Sequence, residues 1–454
     1  MRGLRTGSLC SGRCSRGPLL RPARSQSAAS VVTKASQAET VAEVDTLGLV
    51  LGRGAEGSWD AGVVGNPVVR CYIGDNEERW FMWYSGASNG ATSSSGSGSD
   101  DADEDAAAGP SPPPGLAGVS PGAGGVGVAV SSDGVSWTRG RGAVEGARGA
   151  ARAADVGLCL TPTGVDYWWT LDTAHLAVSD VQVFSNSSIQ SGVGVYWMFY
   201  SGGDFSPLEA PSGMPGAPGA GAALEGLRMR PGLAMSQDGR NWARIEGEHH
   251  TGALFDVGAA GEWDELFVGH PTVIAAGPKD MRMFYHSYDA NKGRFVIGLA
   301  TSPDGFKWTK KGPVFEGSRE PGAHDELGAA ACQVIMDPDR RRFIMLYEGI
   351  AADGTRSIGA ASSADGKSKW TRLAAPLLEA SAAPAAWDAG GVGAPCAVPM
   401  AGGRWRLYYA GRASGGRGPG AWEGVGMALS QPGGDPFAQP FKRRTGAAGP
   451  AAAI

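Results

Sequence analysis

The chain alternates short apolar strands with polar, turn-forming breaks, and the same order of breaks returns several times. Aromatic-rich stretches end on tyrosine at Trp80-Phe81-Met82-Trp83-Tyr84, Tyr196-Trp197-Met198-Phe199-Tyr200, Met281-Arg282-Met283-Phe284-Tyr285, Phe343-Ile344-Met345-Leu346-Tyr347 and Arg404-Trp405-Arg406-Leu407-Tyr408-Tyr409. Short apolar strands follow at Val126 to Val130, Pro231 to Met235, Phe295 to Ala300 and Ile358 to Ala361. Each of these runs into Ser-x-Asp-Gly and then a Trp: Ser131 to Trp137, Ser236 to Trp242, Ser302 to Trp308 and, with one extra residue, Ser363 to Trp370. Asp-Gly between two strand-like runs predicts a tight hairpin, because Gly tolerates positive φ. The Trp offers a large flat face to a neighbouring sheet. A fifth copy has decayed to Gln431-Pro432-Gly433-Gly434-Asp435-Pro436-Phe437.

A third motif opens each unit. Trp59-Asp60 leads to Gly65-Asn66-Pro67, Trp263-Asp264 to Gly269-His270-Pro271, His324-Asp325 to Ala330-Ala331-Cys332, and Trp387-Asp388 to Gly393-Ala394-Pro395. The second unit lacks this Asp and keeps the strand, as Ser179-Asp180-Val181-Gln182-Val183-Phe184. Asp264 and Asp325 lie 61 residues apart, and Asp325 and Asp388 lie 63 apart. The longer gap from Asp60 to Asp264 holds two units plus insertions at about 87–121 and 205–226. The first insertion is Ser/Gly-rich with an acidic cluster, the second rich in Pro, Gly and Ala, and both are expected to be disordered.

Repeats of this size and strand count predict an all-β, five-bladed β-propeller with four antiparallel strands per blade, over residues 39–445. Outer strands stand before the opening motifs at Ala253-Leu254-Phe255, Pro313-Val314-Phe315 and Pro376-Leu377-Leu378. Leu49-Val50-Leu51 holds the same place before Trp59, with no blade ahead of it. The N-terminal segment is therefore expected to supply the outermost strand of the last blade and protect its edge. The Gly-His and Trp-Asp spacing of WD40 blades is absent, and the motif lacks the pattern of a sialidase Asp-box.

Composition narrows the function classes. A formal net charge of −5 over 454 residues argues against nucleic-acid binding, and no apolar run is long enough to span a bilayer. Residues 1–38 are rich in Arg and Ser and carry no acidic residue, the pattern of a transit peptide. The run Val32-Thr33-Lys34-Ala35 resembles the Val-x-Ala processing site of green-algal chloroplast proteins, so a chloroplast is expected, with the mitochondrion as alternative. Residues 446–454 are expected to form a disordered tail. Cys71, Cys159, Cys332 and Cys396 lie far apart in apolar strands, which predicts buried thiols without a zinc site or disulfide framework.

Strands of the type Met-x-Tyr-Ser-Gly with Ser-x-Asp-Gly-x-x-Trp hairpins resemble the arabinanase/levansucrase/invertase superfamily, which includes glycoside hydrolase families 43 and 32 and mannoside phosphorylases. The resemblance covers about residues 45–442. It implies a carbohydrate or small-molecule ligand in a funnel on the propeller axis, with carboxylates on the inner strands of different blades. Such chemistry needs two acids of unequal pKa across the bond.

Positions that repeat from blade to blade are most cheaply explained by structure, which covers Asp60, Asp264, Asp325, Asp388 and the repeated tyrosines. Positions that vary between blades are the candidates. At the head of the inner strand these are Asn66, Asp180, His270, Ala331 and Ala394; directly after the repeated Tyr they are Ser85, Ser201, His286, Glu348 and Ala410. Family 43 places its general base at the first of these positions, as an Asp before Pro. Here Asn66-Pro67 stands instead, and an amide cannot take the proton.

The catalytic candidates are Asp180, Glu348 as proton donor, and Asp60 in place of the missing acid. Asn66, His270, His286 and Asp264 are candidates for hydrogen bonds to sugar, and Trp59, Trp263 or Trp168 for stacking. No metal and no cofactor is expected. The resemblance implies a glycoside hydrolase or phosphorylase; the incomplete carboxylate set keeps open a non-catalytic propeller that binds a sugar or a protein partner.

Overall fold

The computed structural model describes residues 46–73, 78–88, 124–140, 155–164, 167–184, 194–337 (apart from 216, 218 and 225), 341–415 and 422–445. Residues 1–38, expected to be a transit peptide, all but the first two residues of the insertion 87–121, and residues 446–454, expected to be a tail, lie outside them.

Strand β1 (Leu49–Gly52) comes first and belongs to the last sheet. The first blade is β2 (Val63–Ile73), β3 (Glu78–Ala87), β4 (Gly124–Ser131) and β5 (Thr138–Arg139), with β6 (Leu158–Leu160) also on β4. The second is β7 (His175–Phe184), β8 (Val195–Asp204), β9 (Arg228–Ser236) and β10 (Ala243–Ile245). The third is β11 (Gly269–Gly277), β12 (Asp280–Asp289), β13 (Arg294–Ser302) and β14 (Thr309–Phe315). The fourth is β15 (Ala329–Asp337), β16 (Arg342–Ile350), β17 (Arg356–Ser363) and β18 (Thr371–Arg372). The fifth is β19 (Gly391–Met400), β20 (Arg404–Arg412) and β21 (Gly424–Leu429), with both β1 and β22 (Lys442–Arg443) paired to β21.

All these pairings are antiparallel, and β1 closes the ring as its position ahead of Trp59 predicts. The inner strands β2, β7, β11, β15 and β19 contact one another in a closed circuit. Among the described residues no helix is long and apolar enough to cross a membrane.

The repeated hairpin works as its residues suggest. In each intact copy the Asp carboxylate accepts two backbone N–H groups of its own turn, and the Ser hydroxyl accepts the Gly N–H. Gly134, Gly239, Gly305 and Gly366 all sit at positive φ. The following Trp then packs edge-on against the second strand of the preceding blade. Trp242 meets Trp83, Trp308 meets Phe199, Trp370 meets Phe284 and Trp137 meets Tyr408, all with centroids 6.1–6.2 Å apart. Such pairs contribute about 0.5–1.5 kcal/mol each beyond burial. Cys159, Cys332 and Cys396 are buried free thiols, and Cys71 is half-buried.

The described residues of the insertion 205–226 depart from expectation: they form an ordered strap. Ala210 donates to the Ala222 carbonyl at 2.9 Å and Leu224 to that of Leu208 at 2.7 Å, with a bridge between Glu209 and Ala223. Its Pro, Gly and Ala content suggested disorder, but Leu208, Ala210 and Leu224 bury themselves against Leu266, Phe267 and Phe295. A few well-placed apolar anchors outweigh the entropy of a glycine-rich loop.

Candidate ligand site on the propeller axis

Each inner strand enters through a bulge in which two residues face the repeated Tyr of the next strand. Gly65 pairs Ser85 and Val68 pairs Trp83, leaving Asn66 and Pro67 opposite Tyr84; the same shift recurs in the other blades. The first bulge residue takes a left-handed backbone at Asn66, His270, Ala331 and Ala394, with φ of 48°, 49°, 30° and 45°. That conformation is uncommon for residues with a Cβ and is held here by neighbours.

The holding groups are the blade-variable residues after each Tyr. Ser85 Oγ accepts the N–H of Val178 at 3.1 Å, Ser201 Oγ that of His270 at 2.8 Å, His286 Nδ1 that of Ala331 at 3.3 Å, and Glu348 Oε2 that of Ala394 at 3.2 Å. Every acceptor reaches the following blade. Only the seam between the fifth and first blades lacks this latch, because Ala410 has no acceptor. There Trp422 packs with Ala394, Ala410 and Val63, and its carbonyl accepts the N–H of Val64. Gly65 and Gly393 leave the room this indole occupies.

This register corrects the placement of Asp180. Val178, not Asp180, is the counterpart of Asn66, and Asp180 stands opposite Phe199 as Val68 stands opposite Trp83. At that depth the inner strands form a second interblade ring. Asp180 Oδ2 accepts from Val273 N at 2.9 Å, Thr272 Oγ1 donates to Cys332 O at 2.9 Å, Gln333 Oε1 accepts from Ala397 N at 2.7 Å, and Cys396 Sγ accepts from Val69 N at 3.3 Å. Arg70 completes it, with Nε to Val181 O at 2.8 Å and Nη2 to Asp180 Oδ1 at 2.5 Å. Asp180 is committed to this ring and is absent from the wall of the axial cavity.

Asp60 and Asp264 are likewise drawn away from the axis. In each blade the opening Asp accepts a bond from the repeated Tyr hydroxyl and pairs with a basic residue of the outermost strand. Asp60 binds Tyr84 at 2.9 Å and Arg139 at 2.7 Å, and Asp264 binds Tyr285 at 3.1 Å and Lys310 at 2.8 Å. Asp325 binds Tyr347 and Arg372, and Asp388 binds Tyr409 and Arg443. Burial, with the Asp alongside, pushes the phenol of each repeated Tyr up.

The second blade has this Asp after all. Asp172, six residues before Val178, bonds Tyr200 and pairs with Arg244 at 2.8 Å. A basic residue two places after the hairpin Trp (Arg139, Arg244, Lys310 and Arg372) is the signal that would have exposed the triads in the sequence. Trp59 and Trp263 lie stacked on Tyr84 and Tyr285 at 5.5 and 5.4 Å inside their blades, off the cavity wall.

The cavity itself has a volume of about 220 Å³. Asn66, His270, His286 and Glu348 line it. His175, Ser179 and Arg356 join them, and Leu208, Met214 and Leu224 of the strap contribute an apolar part of the wall. Burial lowers His175 and His270 to about 4 and, with His270 and Arg356 nearby, His286 to about 3. All three imidazoles are thus neutral at neutral pH. With Nδ1 of His286 accepting from Ala331, its proton sits on Nε2. Glu348, 2% exposed, pairs with Arg356, whose own pKa burial and Arg412 lower to about 10. Ser179 is 5% exposed, and its hydroxyl has no partner among the described residues. Among the described residues no cluster of three or more His, Cys, Asp or Glu could hold a metal.

No protein-family model and no curated protein matches the sequence. Solved structures do match. A thermostable family-43 glycoside hydrolase aligns over 90% of this chain and 97% of its own, with 14% identity and a TM-score of 0.52. A second glycoside hydrolase aligns over 89% and 97%, with 16% identity and a TM-score of 0.53. At such identity the likeness is one of fold: the chain has the five-bladed propeller found in these glycoside hydrolases.

Proposed function

We propose that this propeller binds a single hydroxyl-rich ring of the carbohydrate class in its axial cavity and does not cleave it. One observation carries the reading. Among the described residues the wall offers neutral polar groups (Asn66, His175, His270, His286 and the unpartnered Ser179 hydroxyl), while its one carboxylate, Glu348, already serves Arg356 and the Ala394 N–H. Hydrolysis by paired acids needs a second carboxyl group within ~5–9.5 Å of the first across the substrate. The three acids that could have joined Glu348 are held in the lower ring or in the blade triads. A cavity of about 220 Å³ is below the ~300–1,000 Å³ of drug-sized ligand sites, which favours one ring over an oligosaccharide.

The test pairs two measurements on the chain from residue 46 onward. Saturation-transfer NMR against neutral monosaccharides should detect binding that His270→Ala weakens. Aryl-glycoside turnover, with and without phosphate, should be absent. Turnover that Glu348→Gln abolishes would restore a glycoside hydrolase or phosphorylase in place of the binding protein. The acid-free basic stretch 1–38 supports a plastid as the compartment, and import into isolated chloroplasts with cleavage near Ala35 tests it.

A further inference from the structure

The chain has fourteen tryptophans, and two of them stand out in solvent: Trp168 is 74% and Trp169 47% exposed, beside the 39% exposed Tyr167. The three rings touch, at 5.4 Å between Tyr167 and Trp169 and 6.1 Å between Trp168 and Trp169. Hydrogen bonds tie down the described residues of their turn. Tyr167 N bonds Gly164 O, Thr170 N bonds Tyr167 O, Leu171 N bonds Thr251 O, and the Thr163 and Thr170 hydroxyls bond each other at 2.6 Å. Aromatics held in place lose little entropy when something stacks on them.

Tyr167 forms one wall of a groove of about 880 Å³ that runs along the second blade past Thr161, Gln237, Asn241 and Trp242. Its charged groups are spoken for: Asp238 caps its own turn and Asn241, and Arg244 holds Asp172 and the Thr161 carbonyl. The Gln237 carboxamide and the Thr161 hydroxyl have no partner among the described residues and carry no charge.

We infer that this groove is a second carbohydrate-binding surface, distinct from the axial cavity, for a neutral polysaccharide chain. A sugar ring presents an apolar C–H face and a rim of hydroxyls. The exposed Tyr167 ring on the groove wall, extended by the neighbouring Trp169 and Trp168 indoles, and the uncharged Gln237 and Thr161 groups match both at once. Among the described residues of the groove a charged partner finds no unpaired charge to meet. At four times the axial volume, the groove has room for several consecutive rings. The inference stands apart from the proposed axial function and holds or fails without it.

Native gels containing soluble starch, arabinan, xylan or mannan test the surface. At least one gel should retard the wild-type chain. Trp168→Ala/Trp169→Ala should migrate freely, with binding weakened by about tenfold or more, and Gln237→Ala should fall between. Both tryptophans are exposed, so an unchanged thermal midpoint shows that the variant is folded. His270→Ala should be retarded like wild type, separating this surface from the axial site. Absence of retardation in every gel, or equal retardation of the double variant, overturns the inference. So does concentration-dependent self-association that the double variant relieves without any polysaccharide binding, which makes the patch a protein interface.

Discussion

Glu348 Oε2 accepts the backbone N–H of Ala394 at 3.2 Å, across the seam between the fourth and fifth blades. The same job falls to Ser85, Ser201 and His286 at three other seams. The one acid at this register is therefore a latch whose charge is matched by Arg356, and its substitution should be felt as lost stability.

Glu348→Gln keeps an acceptor for Ala394 but strands the Arg356 guanidinium in a buried site. Removing one partner of a buried pair costs about 3–5 kcal/mol. Denaturant titration should show a loss of that order, with much of it regained in Glu348→Gln/Arg356→Met. A single variant as stable as wild type would contradict the pairing.

The blade triads predict a different signature. Tyr347→Phe removes one bond to the Asp325 carboxylate and should cost about 1.5–3 kcal/mol, the range for hydrogen bonds to a charged group. Asp60→Asn and Asp264→Asn should lower the unfolding midpoint and leave sugar affinity within about twofold, since neither lines the cavity. Loss of ligand binding without loss of stability would return both acids to the site.

Much of this was legible in the chain, and the exceptions share a cause. The period, the hairpin turns and the β1 closure follow from local chemistry that recurs in sequence, such as Asp-Gly turns and Leu49-Val50-Leu51 ahead of Trp59. The sequence does not show the register of Asp180 because the second blade hides its bulge: Val178 and Ser179 replace the Asn-Pro and His-Pro pairs, and Val178 does not adopt the left-handed backbone its counterparts show. That two-residue slip also concealed Asp172. His175 and Ser179 of the second blade and Arg356 of the fourth meet in one cavity, which no spacing along the chain reveals. The strap is hidden in the sequence because its average composition masks the two anchors Leu208 and Leu224.

Acid should loosen the fold through the axial histidines. His175 and His270 are held to about 4 and His286 to about 3 in the folded chain, below the ordinary value near 6.5. The unfolded state then binds more protons between those limits, so stability present above about pH 6.5 is lost as the pH falls toward 4. Thermal midpoints should decline across that window, less steeply in His175→Gln. Sugar affinity should stay flat from about pH 6.5 to 8, where the imidazoles remain neutral. A midpoint that rises as the solution is acidified would contradict the burial of neutral rings.

Ring closure by β1 is tested by truncation. A chain that starts at Thr46 keeps the pairing of Leu49 to Gly52 with β21 and should remain monodisperse with an unchanged midpoint. One that starts at Gly54 loses the buried Val50 and Leu51 and leaves an edge of β21 open, so aggregation on size exclusion is expected. Equal behaviour of the two would show that β1 contributes nothing to the ring.

The most direct measurement is a crystal structure of the chain soaked with whichever monosaccharide shifts its melting most. A ring on the propeller axis, beneath the strap, should place hydroxyls within hydrogen-bond reach of Ser179 Oγ and His286 Nε2, with its glycosidic oxygen facing no pair of carboxylates. Sugar density elsewhere with only water on the axis, or a second acid brought alongside Glu348 at the anomeric carbon, would contradict the account.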